Sequence, residues 1–304
     1  MDIGAFLTTW SFEPMVLLGL VAAALLYVRG LDYVTKHGLA QRLAWWRIPA
    51  YFAGLLTILI ALESEVDLQA GKLLWVHMVQ HDLLTMVAPP LLLLGLPTWT
   101  LWRAVPTGTR RGVLSWALRA RWPWRVGHAL TRFFTEPRVS LALFLGVFLA
   151  WHVPALYDLA LEQQPIHIME HLMFLGVALL FWAQIIPARV LARSRGPRLS
   201  YPMQALYLAA AALVLNVLGG VFVFSTGPLY RFYAALPRAA DAPSVLVDQH
   251  LAGAAMDVPG TIIFFIIMIT VLAKWLAADE REAQAESAPG GATRTTKSSA
   301  AIHL

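Results

Sequence analysis

The chain has 304 residues, 59% hydrophobic and only 13% charged, with a mean hydropathy of +0.63. Soluble domains carry about a quarter charged residues, so this composition points instead to a polytopic membrane protein. There is no cysteine, which excludes disulfide scaffolds and thiolate metal sites and leaves His, Met and carboxylates as possible ligands. The formal charge of +5 is small, but its sign is unevenly spread along the chain.

The N-terminus has no basic stretch and carries Asp2 and Glu13, so it does not read as a cleaved signal peptide; the first span is expected to insert by itself. Apolar stretches long enough to cross a bilayer fall near 14–29, 47–64, 72–95, 139–157, 166–187, 202–224 and 250–276. An all-α protein of seven transmembrane helices is expected, with residues 1–278 as its domain. Twelve Trp and eight Tyr would suit interfacial belts.

The connections alternate in charge. Segment 29–47 holds Arg29, Lys36, Arg42 and Arg47; segment 103–138 holds eight arginines; segment 189–198 holds Arg189, Arg193, Arg195 and Arg198. The intervening connections read "ESEVD" at 63–67 and "YDLALEQQ" at 157–164, followed by the mixed segment 225–249. The positive-inside rule therefore places the N-terminus outside and the C-terminus in the cytoplasm. Segment 103–138 interleaves Arg with Trp, Leu and Phe, which predicts an amphipathic helix on the cytoplasmic lipid surface rather than a nucleic-acid site. Residues 279–304 are polar and rich in Gly, Ser and Thr, and are expected to be a disordered cytoplasmic tail.

With that topology, six histidines fall at one level, in the outer third of the membrane. His77 and His81 lie near the outer end of the third span, His152 near that of the fourth, His167 and His171 at the start of the fifth, and His250 at the start of the seventh. "HMVQH" and "HIMEH" each place two imidazoles four residues apart, on one helix face about 6 Å apart along the axis. Both helices run from outside to inside, so the pairs match in depth. Met78 and Met256 accompany them as weaker candidates, as do Asp82, Glu170, Asp248 and Asp257. An ionisable side chain within a span normally marks a function. Asp82 and Glu170 can equally orient a ligand's second ring nitrogen. A lone membrane histidine more often bonds a neighbouring helix, but the two pairs with His152 at one depth point to a metal or cofactor site. Imidazole suits copper, zinc, iron and nickel, and nearby thioethers favour Cu(I), so copper is the first expectation and zinc the second. Asn216 is expected to bond a neighbouring helix, and Gly219 and Gly220 to allow close packing.

Four strings, in order, resemble the CtaG family of cytochrome c oxidase assembly factors, of the seven-helix membrane type: "HMVQHDLLTMVAPPLLLLGLP" at 77–97, "WHVPALYDLAL" at 151–161, "HIMEHLMFLGVALLFW" at 167–182 and "DQHLAGAAMDVPG" at 248–260. The similarity runs from about Glu13 to Lys274. It implies a bacterial inner-membrane protein that delivers copper to cytochrome c oxidase or stabilises the oxidase's copper centre, with the oxidase subunits as partners and no enzymatic activity. Matched by motif, it implies His77, His81, His152, His167, His171 and Asp248 as functional positions. Where the family pattern has Gln and Trp, this chain has His250 and Asp257, which leaves both as extra candidates. Three other functions compete with metal delivery: an intramembrane zinc hydrolase with Glu170 or Asp82 as base, a bis-His haem protein, and a transporter, ranked last for want of a polar path below the cluster.

Overall fold

The computed structural model describes residues 10–39, 41, 43–95, 97–119, 121–186, 199–240 and 242–287. Among these the chain is all-helical, without strands. The arginines at 189–198 lie outside the described residues, as does the tail beyond Ser287.

Helix α1 (Pro14–Lys36) opens on a proline, whose missing N–H costs nothing at a first turn. After α2 (Arg47–Glu63), Ser64 turns extended and its hydroxyl accepts the Val66 N–H at 3.2 Å, capping the short α3 (Glu65–Ala70). The next run is helical throughout but irregular: α4 (Leu74–Asp82), a π-helical turn at Leu83–Val87, then α5 (Ala88–Leu94). Pro89 and Pro90 explain the irregularity. Neither has an N–H to give the carbonyl four residues before it, so the regular ladder fails there. The Trp182 indole N–H donates to the freed Thr85 carbonyl at 2.8 Å.

Three amphipathic pieces follow: α6 (Pro97–Ala104), α7 (Thr107–Arg119) and α8 (Arg121–Phe134). On α8, Trp122, Val126, Leu130 and Phe133 are exposed. The chain then bends by 66° into α9 (Pro137–Trp151). The expected span 139–157 is broken at its end. Val153 is extended because a residue before proline is barred from the helical region, and α10 (Pro154–Glu162) starts afresh. Helices α11 (Gln164–Trp182) and α12 (Tyr201–Phe224) come next, then the short α13 (Arg231–Ala235). The last helix, α14, runs from Val245 to Ser287 through Pro259. It passes the boundary expected at 278, so Asp279–Ser287 are helical.

Among the described residues, four helices are long and apolar enough to cross a membrane: Pro14–Lys36, Gln164–Trp182, Tyr201–Phe224 and Val245–Gln284. A fifth is reached if the bent pair Arg125–Phe134 and Pro137–Trp151 counts as one span. Two of the seven expected spans are not in that set. Helix α2 has 17 residues, and the run 74–94 is divided by its π turn into pieces that are each short. Leu18, Val21 and Leu25 on α1, and Leu213 and Val217 on α12, point outward, as apolar residues facing lipid do.

The run 74–94 is buried between two hydrophobic clusters. Leu74, Met78 and Met86 belong to one, with Phe144, Phe174, Phe181 and Trp182; Leu84, Ala88 and Leu92 belong to the other, with Tyr27, Tyr51 and Ile58. At the far end of α5 the Tyr27 hydroxyl donates to the Gly95 carbonyl at 2.9 Å and Arg47 to the Leu94 carbonyl at 2.8 Å, so the last turn is satisfied. Gly219 and Gly253 bring α12 and α14 together. A Cβ on Gly253 would meet the Gly219 carbonyl at 2.6 Å, and one on Gly219 would run into the Asp257 carboxylate. Gly220, expected to do the same, has no neighbour closer than 3.9 Å at its Cβ position. Asn216 bonds its neighbour as expected, accepting from Thr261 at 3.0 Å.

Candidate metal centre

The two His-x-x-x-His pairs meet. Helices α4 and α11 begin at the same end of the bundle, and each pair faces the other across their contact. Ring centroids stand 4.3 Å apart within the His77–His81 pair and 4.2 Å within His167–His171, as one-turn neighbours on a helix should. Across the helices, His77 lies 5.2 Å from His167 and 6.1 Å from His171, while His81 lies 5.7 Å from His171. Glu170 joins them, its carboxylate 3.7 Å from His81 Nε2. One ligand atom from each of His77, His81, Glu170 and His171 can be chosen so that all lie within 4.8 Å of one another. All four residues are buried, His77 and Glu170 completely.

Six polar atoms of this cluster lack hydrogen-bond partners. Both nitrogens of His81, both oxygens of Glu170, Nε2 of His171 and Nε2 of His152 are buried without a hydrogen bond. An unmade hydrogen bond at a buried polar group costs about 1–3 kcal/mol, so such a concentration of unpartnered polar atoms, most of them acceptors, calls for a ligand. A cation that accepts imidazole and carboxylate donors fits that need. With Zn–N distances near 2.0–2.1 Å, two nitrogens on a tetrahedral ion stand about 3.3–3.4 Å apart. His77 Nε2 and His167 Nε2 are separated by 3.4 Å. His167 is only partly buried and so forms the rim of the cluster.

His152 stands at the inner edge. Its ring is 6.0 Å from that of His81, and its Nδ1–H donates to the Phe148 carbonyl at 2.7 Å, which leaves Nε2 free. Five residues proposed from sequence, Asp248, His250, Asp257, Met78 and Met256, stand outside the group of four. Asp248 caps α4 from outside: its carboxylate accepts the N–H groups of Leu74 and Trp75, both at 3.1 Å, and pairs with Arg238 at 3.0 Å. His250 Nε2 contacts the Ser225 carbonyl at 3.1 Å. Asp257 abuts the Gly219 backbone, and Asp82 Oδ2 is buried without a hydrogen bond. Met78 and Met256 pack in the core cluster.

Sequence reasoning missed the aromatic hydroxyls above the site. Tyr157 and Tyr233 each place an Oη 2.9 Å from His77 Nδ1, and both residues are buried. Their residue type pointed to interfacial belts, and no spacing in the sequence links them to His77.

Fold and site together define an all-helical protein, several of whose helices are apolar enough for a membrane, with a buried imidazole–carboxylate centre between two of them. The chain belongs to the cytochrome c oxidase caa3 assembly factor family (Caa3_CtaG), whose family model matches residues 25–278. It is also similar to uncharacterized proteins of two mycobacteria. For Mycobacterium leprae (strain TN) the identity is 24% over 293 residues, covering 94% of this chain and 42% of that protein. For Mycobacterium bovis (strain ATCC BAA-935 / AF2122/97) it is 25% over 291 residues, covering 93% and 42%. The chain thus spans about two fifths of the length of these curated relatives. No solved structure matches it.

Proposed function

We propose that the protein takes part in assembling cytochrome c oxidase in a bacterial inner membrane, binding copper in the histidine cluster and passing it to an oxidase subunit. Family membership supports the assembly role. The observation that carries the metal reading is the set of unpartnered nitrogens and oxygens on His81, Glu170 and His171, three of the four residues whose ligand atoms lie within 4.8 Å of one another. The donors are imidazole and carboxylate, which suit copper, with zinc the nearest competitor. His77, His81, His171 and Glu170 would hold the ion, His167 would receive it at the rim, and His152 lies within reach on the inner side. In this reading the chain crosses the membrane seven times with its N-terminus outside, α2 and the run 74–94 included, and the cluster opens outward. The exposed apolar side chains of α8 rest on the cytoplasmic lipid surface.

The test is metal analysis of protein purified from membranes, for the wild type and for the His77→Ala, His171→Ala double variant. Copper is expected in the first and lost from the second. An unchanged copper content in the double variant would falsify the reading.

Glu170 supports a second reading, since a carboxylate beside three imidazoles is also the equipment of a zinc hydrolase. Zinc in place of copper, with amide hydrolysis that disappears in Glu170→Gln, would favour it.

A further inference from the structure

Two tyrosines outside the ligand set decide which nitrogen His77 offers. Tyr233 donates its hydroxyl proton to the Ala70 carbonyl at 2.6 Å, and a carbonyl can only accept. The Tyr233 oxygen therefore meets His77 Nδ1, 2.9 Å away, as an acceptor. Tyr157 stands at the same distance from Nδ1, its ring centroid 6.3 Å from that of Tyr233. One proton arrangement serves Tyr233: Nδ1–H points at its oxygen, its own proton goes to Ala70, and the Tyr157 hydroxyl turns its proton away from Nδ1. The opposite tautomer would set the lone pair of Nδ1 against the oxygen of Tyr233, whose proton is already committed.

We infer that Tyr233, assisted by Tyr157, is a positioning residue that holds His77 in its Nδ1–H form so that Nε2 faces the ion. This rests on the metal reading above and deepens it. His152 is set in the same way by the Phe148 carbonyl, so two imidazoles from different helices present the same nitrogen. A metal-bound imidazole commonly donates its second N–H to such a partner, which fixes its tautomer and raises its basicity.

Tyr233 reaches His77 because the segment between α12 and α14 is pinned across the end of the bundle. Asp158 accepts the N–H groups of Arg231 and Phe232, both at 3.2 Å, and so caps α13. Tyr230 stacks on Tyr157 with centroids 4.0 Å apart and donates to the His152 carbonyl at 3.0 Å. The residues that orient His77 are thus tied to the backbone of His152.

The experiment is nitrogen NMR on metal-free protein labelled at histidine, with His77→Ala to assign the His77 signal, followed by titration with copper alone. The wild type is expected to show His77 as the Nδ1–H tautomer. In Tyr233→Phe the tautomer should reverse, as Tyr157 turns its proton onto Nδ1, and copper affinity should fall by about 10–100-fold. Tyr157→Phe, which leaves the Tyr233 oxygen in place, should keep the tautomer. An Nε2–H form in the wild type would overturn the inference without any variant having to fold, and so would an unchanged tautomer in Tyr233→Phe. If the tautomer reverses while neither Tyr233→Phe nor His77→Ala alters copper affinity, the positioning stands and the metal reading fails.

Discussion

His77 Nε2 and His167 Nε2 face each other at 3.4 Å across the contact between α4 and α11. That is longer than a good N–H···N bond and equals the spacing of two nitrogens on one tetrahedral ion. The two residues differ in burial, His77 being wholly enclosed and His167 at the rim. His167→Ala should therefore slow metal uptake more than it lowers equilibrium affinity, whereas His77→Ala should abolish tight binding. Stopped-flow uptake set beside equilibrium titration separates the two; equal effects of both variants on affinity would contradict the rim assignment.

Glu170 is the one carboxylate within the group of four, and both its oxygens are free of hydrogen bonds. Glu170→Gln keeps its volume while removing the charge that offsets the ion. Metal affinity is expected to drop about tenfold or more, with the thermal midpoint of the metal-free protein unchanged or raised, because an uncompensated buried carboxylate destabilises the fold. Titration and melting on the same preparation provide the check.

Asp248 gives the opposite pattern. Its carboxylate joins the start of α4 to α14 and neutralises Arg238. Asp248→Ala should cost about 2–4 kcal/mol of stability, from a lost cap plus an orphaned guanidinium. The folded fraction should still bind one equivalent of metal at low temperature. Loss of metal from folded Asp248→Ala would show a direct role at the site instead.

Gly253→Ala probes the contact between α12 and α14. The added methyl meets the Gly219 carbonyl at 2.6 Å and the Val223 side chain at 2.7 Å, so the helices must separate. A destabilisation of about 1–3 kcal/mol is expected. The Gly220→Ala variant, with nothing closer than 3.9 Å, should melt within a degree or two of the wild type. Detergent-solubilised protein followed by circular dichroism suffices for both.

A fifth prediction concerns pH. Burial pushes the Asp67 carboxyl, on the short α3 outside the spans, up to about 6 from its ordinary 3.8; the Gln80 amide pulls it down, and the charges of Glu63 and Glu13 push it up again. The folded protein thus binds this proton more tightly than the unfolded chain does. The associated stability is complete below pH 3.8 and is lost as pH rises through about 6. Asp67→Asn mimics the protonated carboxyl and should remove that slope. Subtracting the two melting curves between pH 4 and 7 isolates it from the histidines, and parallel curves would refute the assignment.

The site was legible where its geometry was local. His77 with His81, and His167 with His171, are four residues apart, and a helix does the rest. Glu170 followed from its place beside His171. Asp248 was not legible as a cap, because its partners lie more than 170 residues away in sequence and a carboxylate near a span looks the same whether it binds an ion or two backbone N–H groups. Tyr157 and Tyr233 carry no spacing signal at all, since three separate elements bring them to His77. In the fold, the unbroken spans expected at 139–157 and 72–95 ran through Pro154 and through Pro89 and Pro90, because apolar length alone does not register the backbone N–H groups that prolines lack.

The widened turn at Leu83–Val87 lies between the imidazoles of α4 and the part of α5 where Leu92 packs onto Gly54. An α-helix advances about 100° per residue, so the direction in which His77 and His81 point, relative to that anchored half, depends on how many residues the turn contains. Deleting a single residue there would preserve every side chain named in the site and aim the histidines away from α11. The metal-binding face is therefore encoded partly as a length, and relatives should tolerate substitutions in this turn far more readily than a change in its residue count.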